Sequence, residues 1–509
     1  MKKYKTTIAL MLLILLSTEA CKKFLTVIPK DSLTGNNFYR NKEDVEANIA
    51  NMYSTFFNKI NESWVIGSIG EARSGEIHAS TDSYYYTASR VVEVLGKNDM
   101  LSVVNESANW KDNNYVNITK WDNYYQVIQS ANILISKLNE GIETLTEKET
   151  KRYLAEATFI RCFTYFWMVR IYGDVVYYTD PYYASASPRE DMITVINKCL
   201  ADLESQKDNI DWNLGDPALK GARASRGSLV ALLMHMNMWN AGFDKVNANS
   251  YYQKVANLGT ELVNSGQYKL LPMTIEGWGQ VIKGRSDESL FEFYRSINYN
   301  DSNNNIAPFA EFFLRWPYKF PRIDEQVSKA YYSADYMKKI FPVDIDDKRK
   351  DLWFEDMLSD DGEFVAKKFA YNVYASGNEN KNPDNTFLIF RYADAILLWA
   401  EALAQQNNIS QALSAINMIR ERAGAPLYTE KDGTELPNYI FLERERELFG
   451  EGLRWFDLVR TKRVLSSEWV SHTLSSDQFN RRAWTWPIHR NALNNNPSLS
   501  LNEYWQSAN

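Results

Sequence analysis

Cysteine, histidine and long apolar runs are all scarce in this 509-residue chain. Its cysteines are Cys21, Cys162 and Cys199, too few for a disulfide scaffold. The four histidines, His78, His235, His472 and His489, are scattered without metal-ligand spacing. No Walker or dinucleotide-type glycine loop, HExxH, G-x-S-x-G or CxxC occurs. Their absence removes the common signatures of nucleotide, zinc, serine and dithiol chemistry. A basic excess is missing too. The 57 Lys and Arg against 64 Asp and Glu leave a charge of −7, without the basic stripe that nucleic-acid binding needs. Past the leader, no apolar run approaches the ~18 residues expected of a membrane-spanning helix.

Aromatic residues, by contrast, are abundant: 31 Tyr and 15 Trp lift the aromatic share to 14%. The 45% apolar composition supplies a large core. Rings at this density serve either that core or a surface that grips flat-faced ligands.

The first 20 residues have the three parts of an export signal. Lys2, Lys3 and Lys5 form the positive end, Ile8 to Leu16 the apolar centre, and small residues lead to Cys21. The apolar run is about half of the ~20 residues a spanning helix needs. Cys21 is then either an ordinary thiol after cleavage or the acylated first residue of a lipoprotein. The second reading is the sharper one, although Glu19 departs from the small residue usual two places before such a cysteine. Several acyl chains on one N-terminus anchor stably, where a single chain would not.

Helical periodicity dominates the mature chain. WDNYYQVIQSANILISKL places Tyr124, Tyr125, Ile128, Ala131, Asn132, Ile135 and Leu138 at spacings of three and four. KETKRYLAEATFIRCFTYFWMVRIYG follows and stops at Gly173, a glycine at the C′ position. This helix pair, about 121–173, is followed by similar pairs at about 223–266 and 386–463. In the last pair Leu388, Tyr392, Ala395, Ile396, Trp399 and Leu403 form one stripe. Ala393, Ala400, Ala402 and Ala404 keep the helix surface small there, with Ser410 expected as N-cap and Gly424 as terminator of the partner helix. The expected fold is mainly α, with tetratricopeptide-like helix pairs at irregular spacing. An irregular insertion, about 271–381, carries short strands such as SLFEFYRS and FVAKKFAY.

In ERERELFGEGLRWFDLVR, local pairs Glu443–Arg446, Glu447–Arg444, Glu451–Arg454 and Asp457–Arg460 are within helical reach. Their expected role is structural. Gly450 and Gly452 would cost about 1 kcal/mol each inside a helix, which predicts close backbone packing or a local break.

Together these blocks resemble the SusD/RagB family of outer-membrane nutrient-binding lipoproteins. KKFLTVIPKDSLTGNNFYRNKEDVEANIANMYSTF looks like its opening, and RYADAILLWAEALAQ, ALSAINMIRERAGAP and ERERELFGEGLRWFDLVRTKR like its C-terminal blocks. WPIHRNALNNNPSLSLNEYW is similar to its closing segment. The resemblance implies residues 1–20 as a lipoprotein signal peptide, 21–45 as tether and start of the first helix, and 46–509 as one binding domain. It also implies outer-membrane localisation through a lipid on Cys21, facing the exterior, and a partner TonB-dependent channel of the SusC type. No cofactor and no metal is implied.

Two loop segments carry the residue chemistry that sugar binding uses: flat rings beside hydrogen-bonding side chains. EARSGEIHASTDSYYYTASR contains Arg73, His78, Asp82, Tyr84, Tyr85 and Tyr86. Consecutive tyrosines diverge in any regular element, so they cannot all face a core. YRSINYNDSNNNIAPFAEFFLRWPYKFPR contains Tyr299, Arg315, Trp316 and Tyr318. In the family, ligand-binding residues lie at these positions along the chain. Trp64, Trp278 and Trp353 are secondary candidates. The expected function is capture of oligosaccharides for the channel. Rival readings are a peptide ligand, an exported glycoside hydrolase with two acids about 5–10 Å apart, and a repeat scaffold that binds only proteins.

Overall fold

The computed structural model describes residues 39–61, 69–81, 92–100, 102, 116–295, 310–319, 326–370, 385–429 and 433–506. Cys21, Trp64, Asp82, Tyr84, Tyr85, Tyr86 and Tyr299 lie outside the described residues.

Helices dominate. Lys42–Ile60 starts at Asn41, whose side chain accepts the Asp44 amide at 2.9 Å, and packs on Asp122–Glu140. That helix pairs with Glu147–Tyr172. Thr146 and Glu149 cap the second member reciprocally, each side chain accepting the other's amide. Gly173 ends it at φ +75°, a conformation only glycine adopts cheaply. Met192–Gln206 covers the far side of Glu147–Tyr172. Nineteen residues of that helix are therefore buried.

Arg226–Phe243 pairs with Ala248–Asn264, which packs in turn on Tyr392–Gln405, and Tyr392–Gln405 pairs with Ile409–Ala423. The approach is close: a Cβ on Gly259 would fall 2.4 Å from Trp399 Cδ1. Ala393, Ala400 and Ala402 are fully buried at the same junction. The mainly helical, tetratricopeptide-like architecture expected from periodicity is the one observed.

Two local expectations need correction. Residues Phe387–Arg391 form a strand rather than the first turn of a helix, antiparallel to Ser289–Phe293 with Ser289 opposite Arg391. Aromatic and β-branched residues there suit a buried strand, and the partner strand decides it. The Ile409–Ala423 helix begins after Asn408, so Ser410 lies inside it and is not its cap. Gly424 does end it, at φ +65°.

The ERERELF block is the ionic centre of the C-terminal half. Leu436–Glu447 and Arg454–Arg460 are separate helices, and Gly450 and Gly452 between them have φ of +72° and +81°. A Cβ on Gly70 would meet the Gly452 carbonyl at 2.1 Å, so the backbones touch. Only two of the expected local pairs form, Glu443–Arg446 at 3.0 Å and Asp457–Arg460 at 2.8 Å. Glu447 instead reaches Arg349 at 3.0 Å and Arg391 at 2.7 Å, and Glu451 reaches Lys368 at 2.6 Å and Arg391 at 2.8 Å. These groups are fully or nearly fully buried, so their partners come from other elements rather than from the next helical turn.

Candidate functional site

The two loop segments meet at a third. Residues 77–79 form a short strand antiparallel to Ala330–Tyr332, which sets His78 opposite Tyr331 with ring centroids 5.6 Å apart. The chain continues into Ser80, whose amide donates to Lys329 O at 3.0 Å. Ser80 Oγ then donates to Asp361 Oδ1 at 2.7 Å, and Thr81 Oγ1 to Asp361 Oδ2 at 3.0 Å.

Asp361 belongs to a hairpin formed by Phe354–Glu355 and Val365–Ala366. Burial alone would raise its carboxyl, but the Ser80, Gly362 and Thr81 donors outweigh this and hold it below the ordinary aspartate range. The same hairpin grips the second segment. Arg315 Nη2 lies 3.0 Å from Glu363 Oε2 and 3.3 Å from Asp356 Oδ2. The Tyr318 hydroxyl donates to Glu355 Oε1, and the Tyr318 amide to Arg315 O at 2.7 Å. His78, Arg315, Trp316 and Tyr318 are thereby assembled around one hairpin, all half-buried.

Arg73 is corrected out of this group. It is fully buried, with Nη2 donating to Ala483 O at 2.9 Å and Nη1 to Trp484 O. Its guanidinium sits 4.2 Å from the Trp455 ring centre, and burial pushes its pKa down to about 9. Arg73 thus ties the start of the segment to the C-terminal region. Trp278 and Trp353 are also core residues, with centroids 4.7 Å apart and the Trp278 indole donating to Lys368 O at 2.7 Å.

The hairpin itself escaped the sequence reading. EDMLSDDGE holds Glu355, Asp356, Asp360, Asp361 and Glu363 within nine residues, and that acidic density between strand-like runs was the available signal. Tyr331 also joins the surface through His78. Burial, then Asp360 and Asp361, raise its phenol. The resulting face offers aromatic edges, a guanidinium and several carboxylate acceptors, the groups that hold hydroxyls and ring faces. Among the described residues no cluster of His, Cys, Asp and Glu could hold a metal ion. No described helix is long and apolar enough to cross a membrane.

Comparison with known proteins accords with this architecture. Residues 355–505 match a family described as the SusD family, and residues 37–214 one described as starch-binding and associating with the outer membrane. A SusD homologue from Bacteroides thetaiotaomicron, solved by crystallography, is 36% identical. It superposes with a TM-score of 0.82, covering 91% of this chain and 98% of its own. A SusD-like protein of Formosa agariphila is 26% identical across 99% of both chains. The starch-binding protein SusD of Bacteroides thetaiotaomicron is 32% identical over 125 residues, 24% of this chain and 22% of its own. With sequence and backbone agreeing over nearly the full length of the crystallised homologue, this chain belongs to the SusD family.

Proposed function

We propose that this protein captures oligosaccharides at the outer face of the outer membrane and delivers them to a partner TonB-dependent transporter. The observation that carries the reading is the meeting of the His78 and Arg315–Tyr318 segments on one acidic hairpin. It is supported by membership of a family with one branch described as starch-binding and associating with the outer membrane. Affinity comes from ring faces and hydrogen bonds at a mostly preformed surface, with no bond made or broken. Among the described residues, burial raises Glu71 and Glu292 to about 7 and Glu445 upward, the direction a general acid requires. All three are buried away from solvent.

A peptide is the second reading. The Asp356 and Glu363 side chains are 58% and 63% exposed and favour a ligand carrying lysine or arginine. A binding screen of soluble glycans and oligopeptides, run on wild type and Trp316→Ala, separates the readings. Glycan binding weakened about tenfold by Trp316→Ala is expected, a stacking-sized loss. Retention of peptides alone would overturn the glycan assignment.

A further inference from the structure

A cleft of about 250 Å³ that shares no residue with the hairpin face opens between the 212–221 connection and the 267–268 turn. Trp212 and Tyr268 line it, ring centroids 6.3 Å apart and planes inclined at 69°. Its shape depends on glycine at 227. A Cβ there would fall 2.2 Å from the Tyr268 hydroxyl and drive that ring off the N-terminus of the Arg226–Phe243 helix.

The cations around the cleft are already paired. Lys220 pairs with Asp287. Arg226 pairs with Glu261 at 2.7 Å and Asp208 at 2.8 Å, and Asp216 accepts the Ala218 amide at 2.8 Å. Apart from Asp216, the remaining polar groups of the lining are neutral. Asn213 engages only its side-chain oxygen, on the Gly215 amide at 2.8 Å. Gln267 uses only its Nε2, on Ser265 O at 3.4 Å. The Ser225 and Tyr268 hydroxyls lie 3.3 Å apart. The Trp212 indole N–H has no hydrogen-bond partner among the described residues.

We propose that this cleft is a second binding site for a single neutral, hydroxyl-rich ring, one sugar unit in size. Its volume falls just below the ~300–1,000 Å³ of sites for drug-sized ligands, so it admits one ring rather than a chain. An anion entering it would find the neighbouring cations already paired, and its desolvation would go uncompensated. Hydroxyls would meet two amides, the Tyr268 hydroxyl and an indole N–H, while a ring face would lie against the aromatic wall. The assignment does not rest on the hairpin face being the capture site.

The test follows indole N–H resonances of the full mature chain during titration with methyl glucoside, galactoside, mannoside and, separately, inorganic phosphate. Trp212→Phe identifies the Trp212 resonance by its disappearance. A saturable shift of that resonance with at least one glycoside is expected. In Gln267→Ala, an exposed position where folding is not at stake, that glycoside's affinity should fall severalfold, and in Trp316→Ala it should be unchanged. No saturable shift with any glycoside, a shift with phosphate, full affinity in Gln267→Ala, or loss in Trp316→Ala would each overturn the site.

Discussion

Buried charge distinguishes the individual residues of this protein more than surface chemistry does. Glu447 lies fully inside, between Arg349, Arg391 and Arg422. Burial opposes its charge, but the arginines outweigh burial and hold its carboxyl far below the ordinary range. Glu447→Gln should lower unfolding free energy by about 3–5 kcal/mol, the usual result of stranding buried charges; urea titration measures it. Glu71 and Glu292 behave oppositely. Burial raises each carboxyl to about 7 despite the Gly452 amide on Glu71 and the Ser289 hydroxyl on Glu292. The folded state thus holds protons that the unfolded state releases, and their contribution falls as pH rises from about 4.5 to about 7. Glu443, held down at about 2 by Arg349, Arg446 and Arg420 against the pull of burial, contributes stability that is lost as pH falls below about 4.5. Thermal unfolding should therefore be most resisted in mildly acidic buffer. Glu71→Gln should flatten the decline towards neutrality, and an unchanged slope would reject the account.

Between elements, glycine sets how closely the helices approach. Gly242 sits near the end of Arg226–Phe243, where alanine would favour the helix by up to ~1 kcal/mol. A Cβ there would lie 2.2 Å from the Arg460 carbonyl, however, and backbone cannot swing aside as a side chain can. The clash wins, and Gly242→Ala should destabilise by about 1–3 kcal/mol in denaturant unfolding. The strand at Phe387–Arg391 shows the same dominance of neighbours. Its pairing with Ser289–Phe293 delivers Arg391 to Glu447 and Glu451, which a helical continuation of Tyr392–Gln405 would not do.

For the whole molecule, anchoring and capture are separate demands. A lipid on Cys21 and the residues that follow it are expected to supply the tether once the Met1–Ala20 signal is removed, so Cys21→Ser should move the protein from the membrane fraction to the soluble fraction while leaving glycan retention intact. Fractionation followed by immunoblotting checks the first outcome and affinity electrophoresis the second. Sequence periodicity alone established the helix pairs, because apolar spacings of three and four admit only one buried arrangement on a helix. The motif blocks identified the family for a similar reason: their order survives along the chain. Periodicity could not tell a buried strand from a helix turn at Phe387–Arg391, because short apolar runs fit both. Nor could it separate Arg73, sealed beneath Trp455, from Arg315, held at the surface by the acidic hairpin. Both arginines lie in polar, aromatic segments of the same composition. Which of them meets solvent was decided by contacts distant in sequence, 410 positions for Arg73 with Ala483 and 48 for Arg315 with Glu363, and only the tertiary structure contains those contacts.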